Sequence, residues 1–299
     1  DNNSVCREVV FWVDNANSIL LNRFFTRNTF KQVIDDGESP AYIAAIRRYI
    51  VDPAEKTNGE CISEIYQYLK KEYQNEYFYK NTLLNKLLLG IHSPRTTTAL
   101  TEVPVGNSKA DFILINGKAV VYEIIDIFNI VKYEPQQIKN YYSKEIEDYY
   151  KAFSRVVVVT SEKNFDSVQQ KLQNSPTGIC LLTKKGTLSV RKEPIEYGDM
   201  LSKTIMFKIL RKNEYEQILL KHFGLLPDVS QFEYYRECQA MFESLPTDIA
   251  YQMFVQALKS RAKIDVVEYS KIPYELKFLI YFSNYKKSDY AKLCRFLST

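Results

Sequence analysis

A chain of 299 residues with 45% hydrophobic and 25% charged residues has the length for one large domain or two smaller ones and the composition of an ordinary globular protein. No run approaches the roughly 18 apolar residues of a membrane span, and the first residues lack a signal-peptide pattern, so a cytoplasmic protein with no membrane partner is expected. Five cysteines (Cys6, Cys61, Cys180, Cys238, Cys294), odd in number and far apart, argue against a disulfide framework or zinc cluster and for a reducing compartment. With only His92 and His222, a histidine-rich metal site or a Ser/His/Asp triad is disfavoured.

The net charge of +4 is carried by residues 201–299, which hold 15 Lys and Arg against 11 Asp and Glu, whereas residues 1–200 balance at 25 and 25. A mildly basic C-terminal region suits nucleic acid; a solvated helical surface explains it as simply. The 23 tyrosines suit base stacking or the edges of a core.

The first 90 residues read as helices. "SILLNRFFTRNTFKQVI" has apolar residues at helical spacing, and Ser39-Pro40 forms an N-cap and N1 pair for the next segment. "DPAEKTNGE" is a loop. "CISEIYQYLKKEY" and "YKNTLLNKLLLG" are amphipathic, the second with Gly90 as C-cap. From about 98 to 192 the pattern turns to strands. "TALTEVPV" and "KADFILI" are followed by the hairpin signal Asn116-Gly117 and by "KAVVYEI". A helix follows from about 134 to 152, then "RVVVVT", a strand apolar on both faces. "NFDSVQQKLQ" is a short helix, and "GICLLTKKGTLSVRKE" is two strands. Five further helical segments run from about 200 to the end. The expected divisions are a helical region 1–74, an α/β core 75–195 and a helical region 196–299. The order helix, three strands, helix, strand predicts an α/β sandwich around one mixed sheet over 98–192.

Within "ADFILINGKAVVYEIID", Asp111 opens one hairpin strand and Glu123 ends its partner. Strand residues alternate faces, so the two carboxylates can sit side by side. Facing carboxylates repel unless a cation or proton lies between them, and Mg²⁺ or Mn²⁺ suits such oxygen ligands. Glu102, on the preceding strand, is a third candidate acid.

This region resembles the PD-(D/E)XK nuclease-like superfamily, whose restriction-endonuclease-like core is αβββαβ with acidic residues on its second and third strands. More narrowly, "NEYFYKNTLLNKLLLGIHS" with "TEVPVGNSKADFILINGKAVVYEI" resembles a family of uncharacterised bacterial and mobile-element proteins placed there. The likeness is close over residues 75–123, looser through 155–192, and returns in "PDVSQFEYYRECQAMFESLP". It implies a Mg²⁺-dependent nuclease acting on DNA, with Asp111 and Glu123 as metal ligands. Gln137 and Tyr141 match a Q-x-x-x-Y spacing that positions DNA in RecB-like nucleases; one turn apart, they share a helix face. Lys80 and Asn81 match a family-like helix motif that suits phosphate, or else a helix surface.

The resemblance fails at one position. Where the motif has a lysine two residues after the glutamate, this chain has Ile125, which can neither orient a water nor balance transition-state charge. Three readings stay open. The site is degenerate, leaving a nuclease fold that binds nucleic acid or a protein partner. Or a lysine has migrated, with Lys139 the first candidate and Lys109 and Lys118 behind it. Or the stretch carries substitutions. Among other residues, Trp12 reads as core, His92 as a loop surface residue, and Lys259, Arg261 and Lys263 as a solvated helix end or a phosphate patch.

Overall fold

Most helix starts follow from side chains that satisfy the backbone N–H groups a first turn leaves unbonded. A computed structural model describes residues 19–124, 144–262 and 264–299, and for most of the third strand only the backbone. In chain order the helices α1 (Arg27–Asp36), α2 (Pro40–Tyr49), α3 (Asn58–Glu72) and α4 (Glu76–Lys86) come first. Strands β1 (Thr98–Val105), β2 (Ser108–Asn116), β3 (Lys118–Ile124) and β4 (Val156–Ser161) follow, then α5 (Phe165–Leu172), β5 (Gly178–Leu182) and β6 (Leu188–Lys192). The chain continues as α6 (Lys203–Ile209), α7 (Lys212–Phe223), α8 (Gln231–Ser244), α9 (Thr247–Lys259), α10 (Val266–Ser270), α11 (Lys277–Tyr281) and α12 (Lys287–Ser298). It is a mixed α/β protein with helical segments at both ends of the described chain.

Two compact units result. One holds the described residues through Gly90 together with those from 264 onward; the other is Ile91–Ala262. The boundaries therefore fall at about 90 and 262, against the 74 and 195 expected from pattern. Helices α6–α9 belong with the sheet, because α6 packs on β1 and α9 on β2.

In the helical unit, Thr26 interrupts what reads as one helix: its hydroxyl accepts from Thr29 N–H at 3.2 Å and starts α1 afresh. Ser39 caps α2 with Pro40 at its first position, and Thr57 and Glu60 form a reciprocal capping box on α3. Helix α4 departs from its expected amphipathic form. Residues 77–84 are all buried, as in a helix surrounded by core. It runs into a π-helical turn, Leu87–Ile91, so Gly90 lies inside a turn and is not a left-handed cap. The tyrosine content is largely core here: Tyr66, Tyr269 and Tyr290 are almost fully buried, and the Tyr269 hydroxyl donates to Lys277 O at 3.0 Å.

The second unit is built on one six-stranded sheet in sequence order, β1 to β6. β1, β2 and β3 are antiparallel neighbours, β3, β4 and β5 are parallel, and β6 returns antiparallel to β5. Every residue of β4 is buried, as its continuous β-branched run requires of a central strand.

The two tight hairpins differ from expectation in an informative way. The two-residue turn is Gly106-Asn107, between the pair Val105↔Ser108. Gly106 has φ +62° while Asn107 has no positive φ, the pattern of a type II′ turn. Asn116-Gly117, expected to be such a turn, is part of a three-residue one: Ile115 pairs with Ala119, Asn116 with Lys118, and Gly117 sits alone at the tip with φ +79°.

Asp148, in the helical stretch 144–150, clamps the β1–β2 turn. It is buried and accepts from Asn107 N–H at 3.1 Å, Ser108 Oγ at 2.9 Å and Lys151 Nζ at 2.6 Å. A side chain at Gly106 would collide with this carboxylate, approaching Oδ1 to 2.9 Å. Burial pushes the Asp148 carboxyl up, but the bonds from Lys151, Ser108 and Asn107 outweigh it and hold the group below the usual range. A depressed native value means stability present above the ordinary carboxyl range and lost as pH falls through the native value. Asp148→Ala strands three donors and is expected to cost about 2–4 kcal/mol. Urea unfolding at neutral pH and in acid checks it: the difference from wild type should shrink in acid.

Candidate metal centre

The antiparallel ladders bring three acidic positions into one row across β1, β2 and β3. Thr101 pairs with Phe112 and Val103 with Ala110, which sets Glu102 opposite Asp111. On the other side Phe112 pairs with Tyr122, and one step further the same register sets position 123 opposite position 111. Position 123 in turn pairs with Val158 of β4. Directly opposed residues share a face of the sheet.

The three-residue turn creates this row. A two-residue turn at Asn116-Gly117 would shift the β2–β3 register by one. Asp111 would then face Tyr122, and position 123 would oppose Ala110 on the other face.

Carboxylate oxygens of Glu102 and Asp111 lie within 4.8 Å of one another, and both residues are half-buried. Thr101 Oγ1 donates to the Asp111 carbonyl at 2.8 Å and fixes the backbone there. Glu102 carries φ +57°, a left-handed conformation that costs a non-glycine residue about 1 kcal/mol or more. The pairs on either side, Thr101↔Phe112 and Val103↔Ala110, hold this strained residue in place. Two carboxylates at this separation repel by about 1–3 kcal/mol, depending on the effective dielectric. Lys109 offsets that cost, because its ammonium forms an ion pair with the Glu102 carboxylate. Lys109 stands two residues from Asp111 on β2 and so shares its face. The Tyr149 hydroxyl bonds to the Lys109 carbonyl at 2.9 Å and anchors that part of the strand.

The donor set is all oxygen, with one cationic nitrogen beside it, which fits a hard divalent cation such as Mg²⁺ or Mn²⁺. Of the sequence-derived candidates, Asp111, Glu102 and Lys109 come together, and the backbone register adds Glu123. Ile125, Gln137, Lys139 and Tyr141 lie outside the described residues, as do Trp12 and Lys263.

Three other expectations are corrected. Lys80 belongs to the helical unit, where it is buried and paired with Glu76 one turn back. It is not a surface lysine. Asn81 is fully buried: its amide donates to the Tyr66 hydroxyl and Tyr274 O, both at 3.0 Å, and accepts from Phe278 N–H at 3.0 Å. Those bonds use the side chain for folding. Arg261 is not at a solvated helix end either. It holds Glu214 through Nε–Oε1 and Nη2–Oε2 contacts of 2.7 and 2.6 Å, with both side chains about 10% exposed. Its Nη2 also donates to Ile209 O at 2.7 Å, leaving little of the guanidinium for phosphate. His92 contacts Asn116 Nδ2 at 3.4 Å beside the hairpin tip.

These features define a mixed α/β protein with an acidic row across the antiparallel half of its sheet. The chain belongs to the family described as bacteriophage P4 protein cII, whose model matches residues 69–272. Neither a curated protein nor a solved structure matches. No helix among the described residues is long and apolar enough to cross a membrane.

Proposed function

We propose that the chain is a metal-dependent nuclease or nuclease relative, built on a restriction-endonuclease-like core and acting on DNA phosphodiesters in the cytoplasm. The observation that supports this best is the pair of carboxylates on adjacent strands, Glu102 and Asp111, whose oxygens lie within 4.8 Å of one another, with a lysine ammonium paired to Glu102. In this reading Asp111 and Glu123 hold Mg²⁺ or Mn²⁺ and Glu102 is the third acid. A bound divalent ion supplies Lewis acidity toward a phosphodiester and lowers the pKa of a coordinated water. Lys109 takes the place of the absent motif lysine: it orients the water and offsets the charge that builds on the phosphoryl oxygens. Gln137 and Tyr141 position the strand to be cut.

Isothermal titration with Mn²⁺ tests the metal site. The wild type should bind one equivalent, and Asp111→Ala should weaken binding at least tenfold. Equal binding by both proteins sinks the proposal. Ile125 favours a second reading, a catalytically silent fold that binds nucleic acid or a protein partner. Retained DNA binding without metal-dependent cutting is its signature.

A further inference from the structure

A cleft of about 340 Å³ opens between the helical stretch 144–150, the C-terminal end of α5, the residues leading into β5, and the segment that joins β6 to α6. Small-molecule sites run from roughly 300 to 1,000 Å³. No residue of the acidic row lines this one. Its walls are held by bonds within the chain. Tyr197 N–H donates to Ser154 O and Ser202 N–H to Lys151 O, both at 2.8 Å, which ties the β6–α6 segment to the chain just after the helical stretch. The Lys192 ammonium donates to Leu172 O and Ser175 O and fixes the end of α5 against β6.

The lining selects the ligand. Ile146, Leu172, Pro176 and Met200 make it mainly apolar. The Tyr150 and Tyr197 rings meet edge to face, with centroids 5.3 Å apart and planes at 89°. A flat ring laid against one of them meets the other at right angles, and stacked and T-shaped contacts are those that aromatic rings favour. Glu147 and Lys171, both exposed, stand at the mouth. Their opposite charges leave no net pull on an ion, and the apolar walls penalise one. At the buried end the Tyr150 and Thr177 hydroxyls bond each other at 3.2 Å. Two hydroxyls carry two protons and that bond uses one. The second proton meets no acceptor among the described residues, because the nearby Ser175 Oγ is engaged by Thr177 N–H at 3.3 Å and donates to Leu172 O at 2.9 Å. A buried donor without an acceptor is costly, and a ligand acceptor at that point removes the cost.

We propose that the cleft binds a neutral, flat aromatic molecule of one or two fused rings, with a hydrogen-bond acceptor directed to the Tyr150–Thr177 hydroxyl pair. The probe is 6-propionyl-2-(dimethylamino)naphthalene, a neutral dye whose emission moves blue in apolar surroundings and red when its carbonyl accepts a hydrogen bond. Titrated into the full chain, it should saturate at one equivalent. Met200→Trp, which fills the cleft, should weaken binding at least about tenfold, the effect of one blocked contact region in a small site. Tyr150→Phe should weaken it by about two- to tenfold, the worth of one neutral hydrogen bond, and move the bound emission further blue. 2-(Dimethylamino)naphthalene, which lacks the carbonyl, should bind wild type and Tyr150→Phe alike, and 2-naphthoate should compete poorly. Circular dichroism melting checks that each variant folds. Absence of saturable binding by the wild type, binding indifferent to Met200→Trp, an equal loss of both dyes in Tyr150→Phe, or displacement by 2-naphthoate as strong as by the neutral analogue overturns the proposal.

Discussion

Arg261→Ala is expected to lower stability by about 3–5 kcal/mol, the usual cost of leaving a buried charge without its partner. Arg261 ties the chain just after α9 to the start of α7 and to the end of α6, through Glu214 and Ile209 O. Glu214 has a second duty, because its carboxylate also accepts from Arg211 N–H at 2.7 Å and so caps α7. The alanine variant leaves that carboxylate almost buried with one backbone bond and no counter-charge. Arg261→Lys should recover only part of the loss, since a lysine cannot make the forked pair. Guanidinium unfolding followed by circular dichroism measures both. A loss under about 1 kcal/mol for Arg261→Ala would mean the pair is solvated in the folded chain.

In the proposed nuclease, Lys109→Met is expected to slow Mg²⁺-dependent DNA cleavage by about 10²–10⁴-fold, the range for removing a positioned acid–base or electrostatic group. Metal affinity should be unchanged or higher, because the substitution also removes a cation that competes for the Glu102 carboxylate. That split separates Lys109 from the ligands, whose loss weakens metal binding and cutting together. Single-turnover cleavage of labelled single- and double-stranded DNA, with parallel Mn²⁺ titrations, reads both quantities. Lys139→Ala is the counter-test, and its cutting should stay near wild type. Ile125→Lys in the Lys109→Met background should recover part of the rate, since position 125 follows the glutamate by two residues, the spacing of the lysine in the nuclease motif that this stretch resembles. If Lys139→Ala abolishes cutting while Lys109→Met does not, the lysine has migrated to the helix.

Much of the architecture was legible because local chemistry agreed with the final fold. The β-branched run before Ser161, the Ser39-Pro40 pair and the glycine after Phe223 each specify a local structure without tertiary help. Where reading failed, a short-range signal lost to a longer-range one. Asn116-Gly117 is a strong two-residue turn signal, yet the flanking strands settle one register away. The two-residue turn falls instead at Gly106-Asn107. Thr26 broke an apolar periodicity that continues on both sides of it. Burial of α4 on all sides depends on helices nearly 200 residues later, as the Asn81 bonds to Tyr274 and Phe278 show. Glu102, Asp111 and Glu123 were visible as acids on strands; their alignment was not, because a single-residue slip reverses every face. Lys109 stood among the candidate lysines, but nothing in the sequence ranked it above Lys139. The five-residue helix α10 and the twelve-residue helix α12 were not legible in the pattern.

The nesting of one unit inside the other bears on the order of folding. The helical unit is completed only after about 170 intervening residues have been made. Its long-range contacts, such as those of α4 with α11 and of α3 with α12, must close that loop. For a floppy chain of this length, closure costs roughly 4–5 kcal/mol. Once the sheet unit has formed, Thr98 Oγ1 donates to Lys259 O at 2.7 Å and holds the start and finish of that unit side by side. The loop to be closed then shrinks to a few residues at each end. During synthesis α1–α4 must therefore wait, with their aromatic faces unsealed, until the last helices emerge. The inserted sheet unit then acts as a staple that lowers the entropy barrier to sealing them.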